Sequence, residues 1–415
     1  MRKLWMRAFG MAAALAFMGV SAHAGDALFS PLNIGDAYNK GLGVDTAYSA
    51  LVSDPSTGSL QLVNANSGAV SDKADSLTLN LEPGLTVEAY RVESHRTRSG
   101  SLVWVGVVAD PGSTIVPFTA ENLQFDPINQ VIIVKDGRTL TGNVHFAGEL
   151  YGIRPLKTRG AHAIVNIKKQ GIPDHPDGAD MPIVPMDDGK ASMDKADTVI
   201  TVMVHYTSAA ASASGNISAL IDLAVAESNQ GYTNSGVLID LVLVHKSQVT
   251  YTESSNFTTN LTRYRTTNDG YMDSIHTTRN SVAADVGVLV VNNSAACGLA
   301  SGIGSTASTA FVAAYWGCIT GYYSFAHEIG HLQSARHDPA TDPTTSPYTY
   351  GHGYRYLGAP DWRTIMAYDC PGGCPRLNFW SSPLKLYNGV AMGTASQSDN
   401  VRVLNNTRNT IAAFR

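Results

Sequence analysis

Phe325-Ala-His-Glu-Ile-Gly-His-Leu-Gln-Ser-Ala-Arg-His-Asp338 holds the pattern His-Glu-x-x-His in His327, Glu328 and His331, with a third histidine, His337, six residues on. Residues four apart share a helix face, so His327 and His331 can aim at one metal ion. Glu328, beside the first of them, can hold and deprotonate a water on that metal. Zinc suits the donor set, because it binds neutral imidazoles at about 2.0–2.1 Å and a catalytic site leaves a fourth position free. A helix continued from His331 to His337 turns roughly 600°, about 240° off the ligand face, and rises about 9 Å. The third histidine can therefore coordinate only if the helix stops and the chain doubles back between them. A zinc site completed by a downstream glutamate is excluded, since no glutamate follows Glu328.

The other end of the chain reads as an address. Arg2, Lys3 and Arg7 precede an apolar run from Ala8 to Val20, and Ala22-His-Ala24 then stands before Gly25. That is the order of a secretory signal peptide cleaved after Ala24. The run is too short for the ~20 apolar residues that a membrane-spanning helix needs. The chain has 415 residues, of which 44% are hydrophobic and 15% charged, a globular composition. Its net charge of −5, without basic clusters, argues against nucleic acid or an anionic membrane as a partner. Four cysteines, all between Cys297 and Cys374, suit an exported chain with two disulfides. Cys297–Cys318 and Cys370–Cys374 are the simplest pairing; three pairings exist, and a four-cysteine zinc site is the alternative.

Between these ends the chain divides in two. Residues 25–170 are β-rich, with strand-like runs at Ser76–Leu81, Leu85–Val92, Leu102–Val108, Gln130–Val134, Thr141–His145 and Ala163–Ile167. Residues 171–197 are rich in Pro and Asp and read as a linker with the activation site. From 198 to 415 strands and helices alternate. Val199–Tyr206, Val237–Val244 and Val288–Val291 are expected strands, Ile217–Asn229 an amphipathic helix, and Asn256–Val282 one long polar helix. Such alternation calls for a largely parallel sheet covered by helices. Gly298–Gly304 and Ala310–Trp316 read as two further strands, a glycine-rich surface loop being the equal alternative for the first, and Val401–Ala412 as a closing helix.

With Arg363-Thr-Ile-Met-Ala-Tyr368 about thirty residues after the three-histidine pattern, residues 198–415 resemble the metzincin zinc metallopeptidases. Among these they are most similar to the reprolysin-like bacterial group of peptidyl-Asp metallopeptidases. The resemblance implies an α/β (α+β) catalytic domain with a five-stranded mixed sheet, a zinc helix and a Met-turn. Zn2+ would sit on His327, His331 and His337, with Met366 as the apolar floor of the turn and Tyr368 as an oxyanion donor. An antiparallel edge strand, here Leu299–Ile303, would hold extended substrate. In metzincins the position of Ser334 carries glycine, which enters left-handed conformations freely, whereas other residues pay on the order of 1–2 kcal/mol. Val131-Ile-Ile-Val-Lys-Asp-Gly-Arg138 and Gly148-Glu-Leu-Tyr-Gly-Ile-Arg-Pro155 are similar to a reprolysin-type propeptide, which makes 25–170 the propeptide domain.

The expected activity is a secreted zinc endopeptidase acting on protein and peptide substrates as a monomer, with Glu328 as general base. The resemblance further implies cleavage on the amino side of acidic residues. Such side chains need a cationic pocket, for which Arg363 and Arg376 are the candidates. No cysteine precedes Cys297, so latency cannot come from a propeptide thiol. Asp174, His175 or Asp177 of the linker is the expected occupant of the metal's fourth position. Self-cleavage is expected before Asp187, Asp188, Asp194 or Asp197. His352 reads as a loop histidine, and Asp338 as a local backbone anchor. Two rival readings are a non-catalytic zinc protein, whose site is structural or in which Ser334 misplaces His337, and a secreted adhesion or binding protein that works through its β-rich half.

Overall fold

The computed structural model describes residues 27–108, 128–168, 171–179, 181–186 and 197–415. The signal peptide, and the cleavage points before Asp187, Asp188 and Asp194, lie outside these residues. Among the described residues the N-terminal half forms an antiparallel sheet of nine strands: β1 (Phe29–Pro31), β2 (Thr57–Ala65), β3 (Ser76–Glu82), β4 (Leu85–Arg96), β5 (Leu102–Val108), β6 (Gln130–Asp136), β7 (Thr139–Phe146), β8 (Glu149–Pro155) and β9 (Ala161–Ile167). They lie in the order β1-β2-β9-β8-β7-β6-β5-β4-β3. All six expected strands are present. The sequence reading lacked β1, β2, β8 and two short helices, α1 (Ile34–Asn39) and α2 (Thr46–Ser53). Those helices start on Asn33 and Asp45, whose side chains accept the first free backbone N–H groups.

β5 shows why the middle of this sheet is apolar throughout. Side chains alternate between faces along a strand. Trp104 joins Val131, Ile133 and Ile153 in a core on one face. Val103 and Val105 join Ile132 and Val134 in a second core on the other, and that core continues into the C-terminal half.

The C-terminal half contains β10 (Thr198–Tyr206), α3 (Ser208–Ala213), α4 (Ile217–Ser235), β11 (Ile239–Gln248), α5 (Phe257–Arg265), α6 (Ser274–Ser281), β12 (Val286–Val291), β13 (Gly298–Ala300), β14 (Phe311–Tyr315), α7 (Ser324–Leu332) and α8 (Asn400–Ile411). Its sheet runs β11-β10-β12-β14-β13. The first four strands are parallel and β13 is an antiparallel edge, giving the expected five-stranded mixed sheet. α4 opens on Asn216, which caps Ala219 N–H at 3.0 Å, and closes on Gly236 at φ 81°. Both its flanks are covered, by β11 on one side and by β6 and β7 on the other.

Two expectations need correcting. The polar stretch 256–282 is two helices, not one. Asn268 and Met272 have positive φ, as does Gly270, and an α-helix cannot be continued through them. The edge strand is shorter than Leu299–Ile303, because Gly304 at φ 83° turns the chain away and Ile303 pairs instead with Pro182 and Val184. Both predicted disulfides, Cys297–Cys318 and Cys370–Cys374, are formed, so the cysteines hold no second metal. Among the described residues no helix is long and apolar enough to cross a membrane.

Candidate active site

α7 carries His327, Glu328 and His331, all buried. Helical geometry ends at Leu332, and Ser334 takes φ 75°, in the left-handed region. Ser334 N–H donates to His331 O at 2.9 Å and Ala335 N–H to Gly330 O at 3.0 Å. That pair of bonds is the Schellman closure, with serine where glycine is usual. The chain reverses there as the three-histidine spacing requires, and His337 comes back over the helix.

The Nε2 atoms of His327, His331 and His337 form a triangle with sides of 3.1, 3.0 and 3.3 Å. His327 Nδ1 donates to Ile365 O at 2.9 Å and His331 Nδ1 to Ala335 O at 2.8 Å, which turns their Nε2 lone pairs inward. Burial, first of all, holds the pKa of all three rings well below the ordinary histidine value, so they face one another as neutral acceptors. An equal-sided triangle of this size has its corners roughly 1.8 Å from its centre, just inside a Zn–N bond of about 2.0–2.1 Å. Three converging lone pairs with no proton between them fit a cation. The rival in which Ser334 misplaces His337 is therefore not what the fold adopts.

The floor beneath the triangle is apolar. Met366 is fully buried in a turn closed by Ala367 N–H to Thr364 O at 3.0 Å. A Cβ on Gly330 would lie 2.6 Å from the Trp380 ring and 3.1 Å from Met366 Sδ, so the helix needs glycine there to sit this close. Asp338, right after the third histidine, accepts from Tyr368 N–H at 3.1 Å and pairs with Arg355 at 2.6 Å, the anchoring role expected of it. His352 does more than a loop histidine. Its Nδ1 donates to His337 O at 2.8 Å and steadies the backbone of His337.

Around this centre lie the groups able to act on a substrate. Burial pushes the Glu328 pKa up, against the opposing charge of His175, and Glu328 Oε2 has no hydrogen-bond partner among the described residues. Gly298 of β13 closes over it, and a Cβ there would lie 2.4 Å from Glu328 Oε1. The Tyr368 ring lies 4.5 Å from that of His337, tilted 55° to it. Burial raises its pKa, so it is a neutral phenol able to donate.

Arg363 and Arg376 are buried side by side, and each donates to Ala367 O at 3.1 Å. Burial, then the neighbouring Arg376, lowers the Arg363 pKa to about 10. Both guanidinium groups converge on the Asp174 carboxylate, Arg376 at 2.7 Å and Arg363 at 3.6 Å. Burial alone would raise the Asp174 pKa, but the two arginines outweigh it and hold it below the usual carboxylate value. Asp177 is exposed.

The stretch read as a linker is thus built into the site. Cys297 N–H donates to Pro173 O at 2.8 Å and Gly298 N–H to Asp174 O at 3.1 Å, which lays the segment along β13. His175 is buried, and one of its nitrogens lies within 4.8 Å of those of His327, His331 and His337. Its Nε2 is 3.1 Å from Glu328 Oε1 and its Nδ1 3.1 Å from the Tyr368 hydroxyl. Sequence reasoning offered three occupants and could not choose; that His175 is the one histidine in residues 171–197 was the available signal.

Residues 196–381 match the Reprolysin_5 model, metallo-peptidase family M12. Over 423 aligned residues, 99% of each chain, the protein is 50% identical to a peptidyl-Asp metalloendopeptidase of Stenotrophomonas maltophilia strain R551-3. It is 51% identical over 376 residues, 88% of each chain, to a peptidyl-Asp metalloendopeptidase of Xanthomonas campestris pv. campestris. A peptidyl-Asp metalloendopeptidase of Pseudomonas fragi is 50% identical along its whole length, which spans 46% of this chain.

Proposed function

We propose that this chain, which belongs to the M12 metallopeptidase family and is a metalloendopeptidase, is a secreted zinc enzyme that cuts peptide bonds on the amino side of acidic residues. The reading rests above all on the three inward Nε2 atoms with Glu328 beside them. Zinc held by His327, His331 and His337 would supply a Lewis acid that polarises the scissile carbonyl and makes water a nucleophile near neutral pH. Glu328 takes the proton of that water as its oxygen attacks the carbonyl carbon, then passes it to the leaving amine as the C–N bond breaks. Burial keeps its carboxylate basic enough for both transfers. Tyr368 donates a hydrogen bond from its phenol to the carbonyl oxygen as negative charge gathers there. β13 offers backbone partners to an extended peptide, and Met366 forms the Met-turn floor.

The acid preference is supported by Arg363 and Arg376, two buried cations with a shared aspartate partner next to the centre. It also agrees with the name that the relatives carry. In this reading residues 1–24 are removed on export, 25–170 are the propeptide, and 171–197 are the activation segment. Mapping the cuts made by the processed enzyme in a denatured protein tests the specificity. Cuts should fall before Asp, and cuts spread without regard to acidic residues would overturn it.

A further inference from the structure

We infer that Asp174 and His175 form a built-in pseudo-substrate, in which Asp174 fills the acid-recognising pocket while His175 plugs the metal centre. The inference rests on the zinc-peptidase reading above and adds to it what the precursor's own chain presents to the site. Three observations carry it. First, Asp174 is the carboxylate that reaches both buried arginines, Arg376 at 2.7 Å and Arg363 at 3.6 Å, whereas Asp369 meets Arg363 alone. Second, the imidazole of its immediate neighbour spans the two groups that would handle water and carbonyl oxygen, Glu328 on one nitrogen and Tyr368 on the other. The same ring lies against all three metal-facing histidines, with centroids 4.6–5.3 Å away. Third, the backbone of the pair is tied to the sheet margin through Cys297 and Gly298, the surface an extended peptide would use.

The direction of the segment explains why it is not itself cut. Pro173 and Asp174 meet Cys297 and Gly298, and Ile183 later meets Ile303, so the segment runs parallel to the edge. In this run the group set between Glu328 and Tyr368 is an imidazole and not a peptide carbonyl. The segment therefore binds through an acidic side chain, as a substrate does, and offers nothing to hydrolyse. Pro173 and Pro176 bracket the pair, and their fixed φ lowers the entropy lost in holding it. One dyad blocks recognition and chemistry together, so full opening of the site requires that both residues be lifted.

The test uses the full-length chain carrying Glu328→Gln, so that nothing is cut, loaded with cobalt(II) as a visible stand-in for zinc. His175→Ala should change the intensity and position of the cobalt bands, because an imidazole leaves the metal's surroundings; an unchanged spectrum overturns the plug. In the same background a fluorescent peptide with a single Asp should bind the Asp174→Ala/His175→Ala chain at least about 30-fold more tightly than the chain with its segment intact. Asp174→Asn, which preserves shape, should give part of that gain. Equal binding of the peptide to the intact and doubly substituted chains overturns the pseudo-substrate. The cleavage map of the processed enzyme separates the two readings. Acid-directed cuts beside equal peptide binding would sink this inference alone. Cuts without acid preference would sink the specificity on which Asp174 mimicry depends.

Discussion

Ser334→Gly should stabilise the protein. The left-handed conformation at Ser334 costs a residue with a Cβ on the order of 1–2 kcal/mol. Ser334 Oγ is also buried and without a hydrogen-bond partner among the described residues, which costs about 1 kcal/mol more. Against this, glycine gives the unfolded chain extra freedom worth about 0.5–1 kcal/mol. Losing the Cβ and hydroxyl also leaves a small void. The balance is a gain of about 1 kcal/mol, or roughly 1–3 °C in melting temperature for a chain of this size. Ser334→Ala serves as the control, since it removes the hydroxyl but keeps a Cβ at positive φ and so should recover only the smaller part. Reversible urea denaturation in a Glu328→Gln background measures both without self-digestion. Metal content should stay the same in all three proteins, because the closure that returns His337 is already made with serine. A ranking of alanine above glycine, or a glycine variant less stable than the parent, would refute the strain argument.

Glu328→Gln should bind zinc as before while losing about two to four orders of magnitude in kcat, and should accumulate uncut if maturation is autocatalytic. Metal analysis and the size of the secreted species report on both. Tyr368→Phe should lower kcat by about a hundredfold and leave KM nearly unchanged, as loss of a donor to developing charge does; an equal rise in KM would mean that the hydroxyl serves binding. Glu227 joins the two halves, accepting from Asn143 Nδ2 at 2.6 Å and from Gly321 N–H at 2.8 Å, and burial pushes its pKa up to about 7. A carboxyl raised on folding contributes fully below its unfolded value near 4.5 and loses that contribution as pH climbs through about 7. The precursor should therefore lose up to roughly 3 kcal/mol over that window, and Glu227→Gln should flatten the decline.

The sequence made the chemistry plain and the architecture around it less so. Three histidines at fixed spacing dictate a reversal after His331, because a continued helix cannot bring His337 to the same ion, and that is a local argument. The C-terminal strands and α4 are legible for the same reason: apolar period acts within a few positions, as in Ile217, Leu220, Ile221 and Ala224. The helical stretch 256–282 misled, because Asn268-Asp-Gly270 was too weak a signal to mark the break until positive φ values exposed it. β1 and β2 were missed because Pro31 and the polar run through Gln61 hide their alternation. The roles of Arg363, Arg376 and His352 depend on partners far away in sequence, Asp174 above all, and no periodicity encodes such meetings.

α4 is covered on both flanks, by its own sheet and by β6 and β7 of the N-terminal half. The two halves are therefore welded through a common interior, and a single nick before Asp197 would sever the backbone without parting them. In the maturation proposed above, liberation of the peptidase would be a second event after the first cut, and it would have to dismantle the nine-stranded sheet or pry it off, leaving one side of α4 newly wetted.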